Sequence, residues 1–293
     1  MNESIRDATR RFVVGSGSVR GEYVRLEDSW RELLARRRYE PPVVSLLGEC
    51  LAASALFTST LKMLQDDGRL TLQIQGGRPV SLLIAECRAD LTLRAMARVE
   101  PGSQIGAGGG LRALASGASF ALTIEPGGDY DSYQSFVPIE ADALAEALNA
   151  YMRQSEQIET RFVLAANDRV AAGLIVQKVP ALGGKAIRDT DADLWNRIET
   201  LTGSLTREEL LDLDDTEVLH RLFHQEEVRL HTARPVAFVC RCSKERVGGV
   251  LKVLGREEVQ GLLADRRTID VDCDFCGQHY SFSASEAWDA LRS

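Results

Sequence analysis

The chain has 293 residues with 43 acidic and 35 basic side chains, giving a net charge of −8, and 44% of its residues are hydrophobic. This length suits about two domains with a sizeable core, and the acidic balance disfavours nucleic-acid binding, which needs a basic surface. The first residues contain no apolar core followed by a small-residue cleavage site, and no run of about eighteen apolar residues predicts a membrane span. We therefore expect a cytoplasmic protein without a membrane partner.

Residues 1–185 are predicted to form an N-terminal mixed α/β domain with mainly antiparallel sheets. The predicted strands are 23–26, 70–74, 80–87, 91–99, 119–124, 134–139, 161–165 and 170–179, and the predicted helices are 29–38, 43–65 and 141–155. Gly76 and Gly77 mark a turn in which a positive φ is needed. Several strands followed by helices favour an α+β fold over a repeating βαβ pattern.

Residues 186–235 differ in composition from the rest of the chain, with twelve acidic against six basic residues. Thr206 and Glu209 have the spacing of a capping box, which predicts a helix start. Helices that are charged and thinly hydrophobic depend on packing against another surface for their stability. The segment is therefore predicted to be a metastable helical linker.

Residues 236–293 are predicted to form a small C-terminal domain. A strand leads into a first cysteine pair, Ser243 begins a helix over 243–254 as its N-cap, and Gly255 ends that helix. A short helix over 257–264, a strand over 268–271 and a final helix from about 283 follow. So small a domain has little core of its own.

Four cysteines form the strongest chemical signal in the sequence: Cys240 and Cys242, then Cys273 and Cys276, with thirty residues between the two pairs. Clustered cysteines in a reducing compartment favour metal binding or redox chemistry over permanent disulfides. Two close thiol pairs match a tetrahedral four-thiolate zinc site. Metal binding at such a site contributes directly to folding, so we expect one zinc ion to support this domain.

Two interpretations of the cysteine site remain, a zinc ribbon that never opens and a redox switch. The Cys-X-Cys spacing is less usual in purely structural sites, and each pair is close enough in sequence for a local disulfide. Zinc-bound thiolates stay nucleophilic toward peroxide-like oxidants. These features favour the switch. His279 is an alternative ligand, although four thiolates already suffice.

The remaining candidate residues indicate no catalytic chemistry. Cys50 and Cys87 are predicted to be small core residues. The glycine run over 106–110 is followed by no Lys-Ser or Lys-Thr pair, so no nucleotide site is predicted. His220 and His224 have helical spacing, but Arg221 stands where a zinc protease needs glutamate. We therefore predict that the protein is not an enzyme.

Several runs of the sequence resemble one known family over essentially the whole chain. These are Phe-Val-Cys-Arg-Cys-Ser-Lys-Glu-Arg-Val at 238–247, Leu-Gly at 254–255, Cys-Asp-Phe-Cys at 273–276, Tyr-Met-Arg-Gln-Ser-Glu-Gln at 151–157 and Gln-Lys-Val-Pro at 177–180. Together they resemble the redox-regulated heat-shock chaperone family, heat-shock protein thirty-three. The resemblance implies an ATP-independent holdase that is inactive while reduced and zinc-bound.

The resemblance also implies how such a protein is activated. Peroxide with heat, or hypochlorite, converts the thiols to the disulfides Cys240–Cys242 and Cys273–Cys276 and expels zinc. The linker then unfolds, the active form is a homodimer, and apolar surface holds unfolding client proteins.

The alternative function is a constitutive zinc-ribbon protein that binds nucleic acid or regulates another protein. From Val236 onward, eight basic and nine acidic residues leave no net attraction to phosphate. A zinc enzyme ranks last, because four thiolates leave no open coordination position.

Overall fold

The computed structural model of the chain describes residues 6–106, 108–179, 191 and 193–292. Up to residue 178 the elements are β1 (Asp7–Val14), β2 (Val19–Leu26), α1 (Asp28–Arg36), α2 (Pro41–Thr60), β3 (Arg69–Gln75), β4 (Arg78–Arg88), β5 (Thr92–Val99), α3 (Leu111–Leu114), β6 (Ala115–Ser116), β7 (Ser119–Glu125), β8 (Tyr133–Phe136), α4 (Leu144–Gln154), β9 (Thr160–Ala166) and β10 (Ala171–Lys178). Beyond residue 193 they are α5 (Leu194–Gly203), α6 (Arg207–Asp212), α7 (Asp215–Phe223), β11 (Val228–Leu230), β12 (Arg234–Pro235), β13 (Ala237–Phe238), α8 (Lys244–Leu254), α9 (Arg256–Asp265), β14 (Thr268–Asp272), β15 (His279–Ser283) and α10 (Ala284–Arg292). The chain divides into two compact units, with the boundary after Phe238.

Helix α2 is the centre of the first unit and contacts strands of both of its large sheets. The helix carries apolar residues on all of its sides, as expected for a buried helix. Among the described helices it alone is long and apolar enough to cross a membrane, but 83% of its apolar window is buried inside the protein. Gly48 lets it approach β9 closely, because a Cβ there would lie 2.4 Å from the Cβ of Ala166.

The first sheet has the strand order β11-β1-β2-β10-β9, with β12 also paired to β1. Its residues alternate between two cores, as the period of a β-strand requires. On β10, Ala171 and Ile175 pack toward α2, whereas Leu174 and Val176 belong to a second core on the opposite face.

Helices α5, α6 and α7 cover that opposite face, and we call these three helices the cover. Buried cover residues that join the second core include Trp195, Ile198, Leu210, Leu219 and Phe223. The face of the first sheet beneath them is called the covered face, and it is formed by Phe12, Val14, Val19, Tyr23, Ala165, Val170, Ala172, Leu174 and Val176.

The second sheet has the order β13-β5-β4-β3-β7-β8, with β6 paired to β4. All of these pairings are antiparallel except that of β13 with β5. The predicted α+β class with mainly antiparallel sheets is therefore confirmed. The predicted turn is present, and Gly76 has a φ of +78°.

The second unit contains the hairpin β14–β15 and helices α8, α9 and α10. Its buried apolar core consists of Val247, Leu251, Val259, Ile269, Phe282 and Ala287. Six buried side chains are few for a unit of this size, as expected for a domain that needs an additional crosslink.

Several expectations about elements were wrong; β2, for example, begins at Val19, four residues before the predicted start. The helix predicted over 43–65 ends at Thr60, because Leu61 takes an extended conformation and the Gln65 amide bonds to the Pro126 carbonyl. The strand predicted over 134–139 ends at Phe136, since Pro138 has no amide to donate. Strand β1 was missed, because Arg10 and Arg11 interrupt its apolar pattern. Strands β6, β11 and β12 were missed as well, because two or three residues are too few to show an alternation.

The expected linker helices are present and belong to the first unit, and the start of that segment, residues 186–190, lies outside the described residues. The end of the segment was predicted wrongly as helical, because residues 228–230 and 234–235 form β11 and β12, which pair with β1. The capping box is confirmed, with the Glu209 amide donating to Thr206 Oγ1 at 3.2 Å. The proposed limits of the N-terminal domain, linker and zinc domain stay predictions.

Candidate metal and redox site

The first cysteine pair lies in the loop that joins β13 to α8. Ser243 caps α8, as predicted, by accepting a hydrogen bond from the Arg246 amide at 3.3 Å. The Arg246 guanidinium donates to the Arg241 carbonyl at 2.7 Å. The residue between Cys240 and Cys242 is therefore tied to the first turn of the helix, which holds this loop in place.

The second pair lies in the tight turn between β14 and β15. The Gly277 amide donates to the Cys273 carbonyl at 2.8 Å, and the Cys273 amide donates to the Gln278 carbonyl at 2.9 Å. Gly277 has a φ of +68°, a conformation that side chains with a Cβ rarely adopt. The turn thus brings Cys276 back beside Cys273.

The four sulfur atoms form one cluster in which all lie within 4.8 Å of one another. Cys240 Sγ lies 3.7 Å from Cys273 Sγ, and Cys242 Sγ lies 3.4 Å from Cys276 Sγ. A tetrahedral zinc ion with four bonds of about 2.3 Å needs sulfur atoms about 3.8 Å apart. The residues therefore fit a tetrahedral metal ion. Among the described residues this is the one group of three or more potential ligands that meets such a limit.

The local environment distinguishes the thiols from one another. Burial raises the pKa of the Cys240 thiol. Burial acts in the same direction on Cys242, but a hydrogen bond from Tyr280 Oη at 3.1 Å and the neighbouring thiols outweigh it and lower the pKa. Cys273 is the most buried of the four.

His279 is not part of the cluster. Its Nδ1 lies 2.8 Å from Asp272 Oδ1, and its Nε2 lies 3.4 Å from Asp270 Oδ1, so both ring nitrogens face carboxylates of β14. The structure does not bring this alternative ligand to the sulfur atoms.

The other predicted residues lie away from the cluster in the fold. Cys50 and Cys87 are fully buried on α2 and β4, and burial raises the pKa of Cys87 to about 12. His220 is exposed on α7, and His224 is exposed at the C-cap of that helix. The described part of the glycine run leads into a helix of only four residues, α3.

The sequence analysis missed the polar contacts that fasten the cover to the rest of the first unit. Arg25 donates to the carbonyls of Leu211 and Leu213 at the end of α6, at 2.9 and 3.0 Å. Arg10 Nε lies 3.0 Å from Asp215 Oδ2 on α7. Each of these arginines lies among buried residues of its own strand, Arg10 on β1 and Arg25 on β2, which is a weak signal that could have indicated such contacts.

A third contact joins α6 to α2. Arg207 Nη1 lies 2.9 Å from Glu49 Oε1, and Nη2 donates to Ser45 Oγ at 2.8 Å and to the Ala166 carbonyl. Glu49 is the one charged residue of a largely apolar helix, which is the sequence signal for a buried partner.

The fold and the site together define an α+β protein whose small C-terminal unit carries a four-thiol centre suited to a metal ion. Residues 7–283 match the family model described as Hsp33 protein. The chain is 41% identical to the 33 kDa chaperonin of Methylobacillus flagellatus, over 97% of this chain and 94% of that protein. It is 43% identical to the 33 kDa chaperonin of Pseudomonas aeruginosa, over 96% of this chain and 93% of that protein.

The chain belongs to the Hsp33 family and is a chaperone, which confirms the resemblance stated from the sequence. A crystal structure of the 33 kDa chaperonin from Thermotoga maritima has the same fold, with a TM-score of 0.77, 21% identity and 98% of both chains aligned.

Proposed function

We propose that the protein is a redox-regulated, ATP-independent holdase of the cytoplasm that binds unfolding proteins during oxidative and heat stress. The observation that carries this proposal is the cluster of four sulfur atoms within 4.8 Å in a unit with only six buried apolar residues. When the four thiols are oxidised, a unit built in this way loses its main support. The family resemblance supplies the holdase activity.

In the reduced state, Cys240, Cys242, Cys273 and Cys276 hold one zinc ion, which keeps the thiols ionised and crosslinks the unit. Each disulfide forms when two thiolates give two electrons to one peroxide molecule, which takes up two protons from the solvent and leaves as two water molecules. Two peroxide molecules thus convert the four ligands into two disulfides. Once oxidised, the sulfur atoms are no longer thiolate ligands, so the crosslink is lost.

The pairing Cys240–Cys242 and Cys273–Cys276 is proposed from the family resemblance. All four sulfur atoms are close enough that other pairings need only small movements. Peptide mapping of the oxidised protein tests the pairing directly.

The response of the first unit follows from the chain that leads to the first cysteine. Short strands β11, β12 and β13 attach residues 228–238 to edges of both large sheets, with only two or three residue pairs each. Cys240 follows Phe238 by two residues. Because these pairings are short, we propose that unfolding at the cysteines spreads along this segment toward the cover.

Release of the cover uncovers apolar surface suited to client binding. The covered face carries Phe12, Tyr23, Leu174 and Val176, all of which are almost fully buried while the cover is in place. Exposed apolar surface of this kind binds non-native proteins.

We further propose that the oxidised protein is a homodimer and that catalysis and nucleotide binding play no part.

The test combines peroxide treatment at raised temperature with three measurements: zinc release, the number of free thiols, and suppression of aggregation of an unfolding test protein. We expect zinc to leave, four thiols to disappear and holding activity to rise together, and a thiol reductant to reverse all three. Retained zinc, or zinc loss without holding activity, would identify the cluster as a structural crosslink and remove the redox proposal.

A further inference from the structure

Glu49 is an ionisable side chain on the most apolar helix of the protein. Its side chain is only 14% exposed, and burial raises the pKa of its carboxyl group. Ser45 Oγ donates to it at 3.0 Å from the same helix. Among the described residues, Arg207 is the only cation that pairs with it. The charge of Glu49 therefore depends on a residue of the cover.

The position of Arg207 is explained by Glu49 and not by its own helix. Arg207 is the first residue of α6, where the helix dipole disfavours a cation. The capping box formed by Thr206 and Glu209 sets this start and so determines where the Arg207 side chain leaves the helix. From there the guanidinium reaches Glu49, Ser45 and the Ala166 carbonyl, which belong to α2 and β9.

An ion pair of this kind restricts how the cover can dock more than it stabilises the docked state. Two paired charges often contribute little in total, because desolvation offsets their attraction. Removing one partner is costly, because the other charge then stays buried without compensation. With the cover in place but without the guanidinium, Glu49 would be such a charge.

We propose that Glu49 and Arg207 form a latch, in which a buried carboxylate on α2 allows the cover to close only while the guanidinium of α6 is seated against it. The latch rests on the proposed function insofar as it regulates access to the covered face. In the closed state, the charges of Glu49 and Arg207 compensate each other. When α6 leaves, both groups are hydrated, so partly docked arrangements that bury Glu49 alone are disfavoured.

The experiment compares the reduced, zinc-loaded full-length protein with Arg207→Ala, Glu49→Gln and the double variant. Amide hydrogen exchange over residues 208–223 measures opening of the cover. Arg207→Ala should raise the exchange rates at least roughly tenfold. Glu49→Gln should change them less than about threefold, because the Arg207 side chain is 43% exposed and stays partly hydrated, and the amide oxygen still accepts from the guanidinium.

The double variant separates the latch from a simple loss of contacts. Removing the uncompensated carboxylate should make it exchange at least about threefold more slowly than Arg207→Ala alone. Arg36→Ala is the matched control: Arg36 lies on α1, pairs with Glu32 at 2.9 Å, and both side chains are about half exposed, so exchange over residues 208–223 should stay at the wild-type rate.

Two outcomes would overturn the latch: wild-type exchange in Arg207→Ala, or equally fast exchange in the single and double variants. Capture of an unfolding test protein without oxidant is measured in parallel, with zinc and free thiols confirmed as intact. If the exchange pattern appears but capture does not, the latch stands and the assignment of the covered face as the client surface fails.

Discussion

Phe223 on α7 offers a direct way to release the cover without touching a cysteine or a charge. Its side chain is 1% exposed, and its ring centroid lies 6.0 Å from that of Phe12 on the covered face. Replacing a fully buried phenylalanine by alanine costs about 3–5 kcal/mol, from lost burial and the cavity that remains. Only the docked state suffers this loss, so Phe223→Ala should shift the docking equilibrium toward release by roughly a hundredfold to a few thousandfold.

The assay is hydrogen exchange of the amides of α5, α6 and α7 in the reduced protein, together with capture of an unfolding test protein without oxidant. Faster exchange in the cover and oxidant-free capture are both expected, with all four cysteines still reduced. Phe136→Ala is the matched control, because Phe136 is 61% exposed and its loss creates no cavity. Wild-type protection of the cover in Phe223→Ala would refute the reasoning that apolar burial holds it in place.

Three further predictions concern the cap, the first sheet and the metal. Thr206→Ala removes the capping box of α6 and should cost about 1 kcal/mol, seen as roughly fivefold faster exchange in that helix, whereas Thr206→Ser should keep wild-type rates. Gly21→Ala should lower the free energy of unfolding by about 1–3 kcal/mol in a denaturant titration, because its Cβ would lie 2.1 Å from the Phe12 ring; Gly106→Ala, with open space around it, should not. A chelator added to the reduced protein should abolish amide protection in α8, β14 and β15 while β2 and β10 stay protected; a second unit that keeps its protection without metal would contradict the proposed role of the crosslink.

The chemistry of the C-terminal unit could be predicted from the sequence because it depends on residues close together along the chain. Cys-X-Cys and Cys-X₂-Cys each place two thiols within a single turn, so both half-sites are local features. The N-cap at Ser243 and the capping box at Thr206 are local as well, and both are present. Most strands of the two large sheets were predicted for the same reason, since alternation of apolar residues is a property of neighbouring positions.

Tertiary structure alone decided which surfaces meet. Arg207 and Glu49 are 158 residues apart in sequence, and no periodicity links a cation in an acidic segment to a carboxylate in an apolar helix. The same holds for β1, whose arginines interrupt the apolar pattern of the strand. Only the folded chain shows that Asp215 and Glu22 lie beside these arginines and pair with them. The two faces of the first sheet were likewise undetermined: β10 is apolar on both sides, and only the packing shows that α2 takes one face and the cover the other. Local patterns determine which element a segment forms, whereas burial of a charge or of a second sheet face depends on partners that only the folded chain brings together.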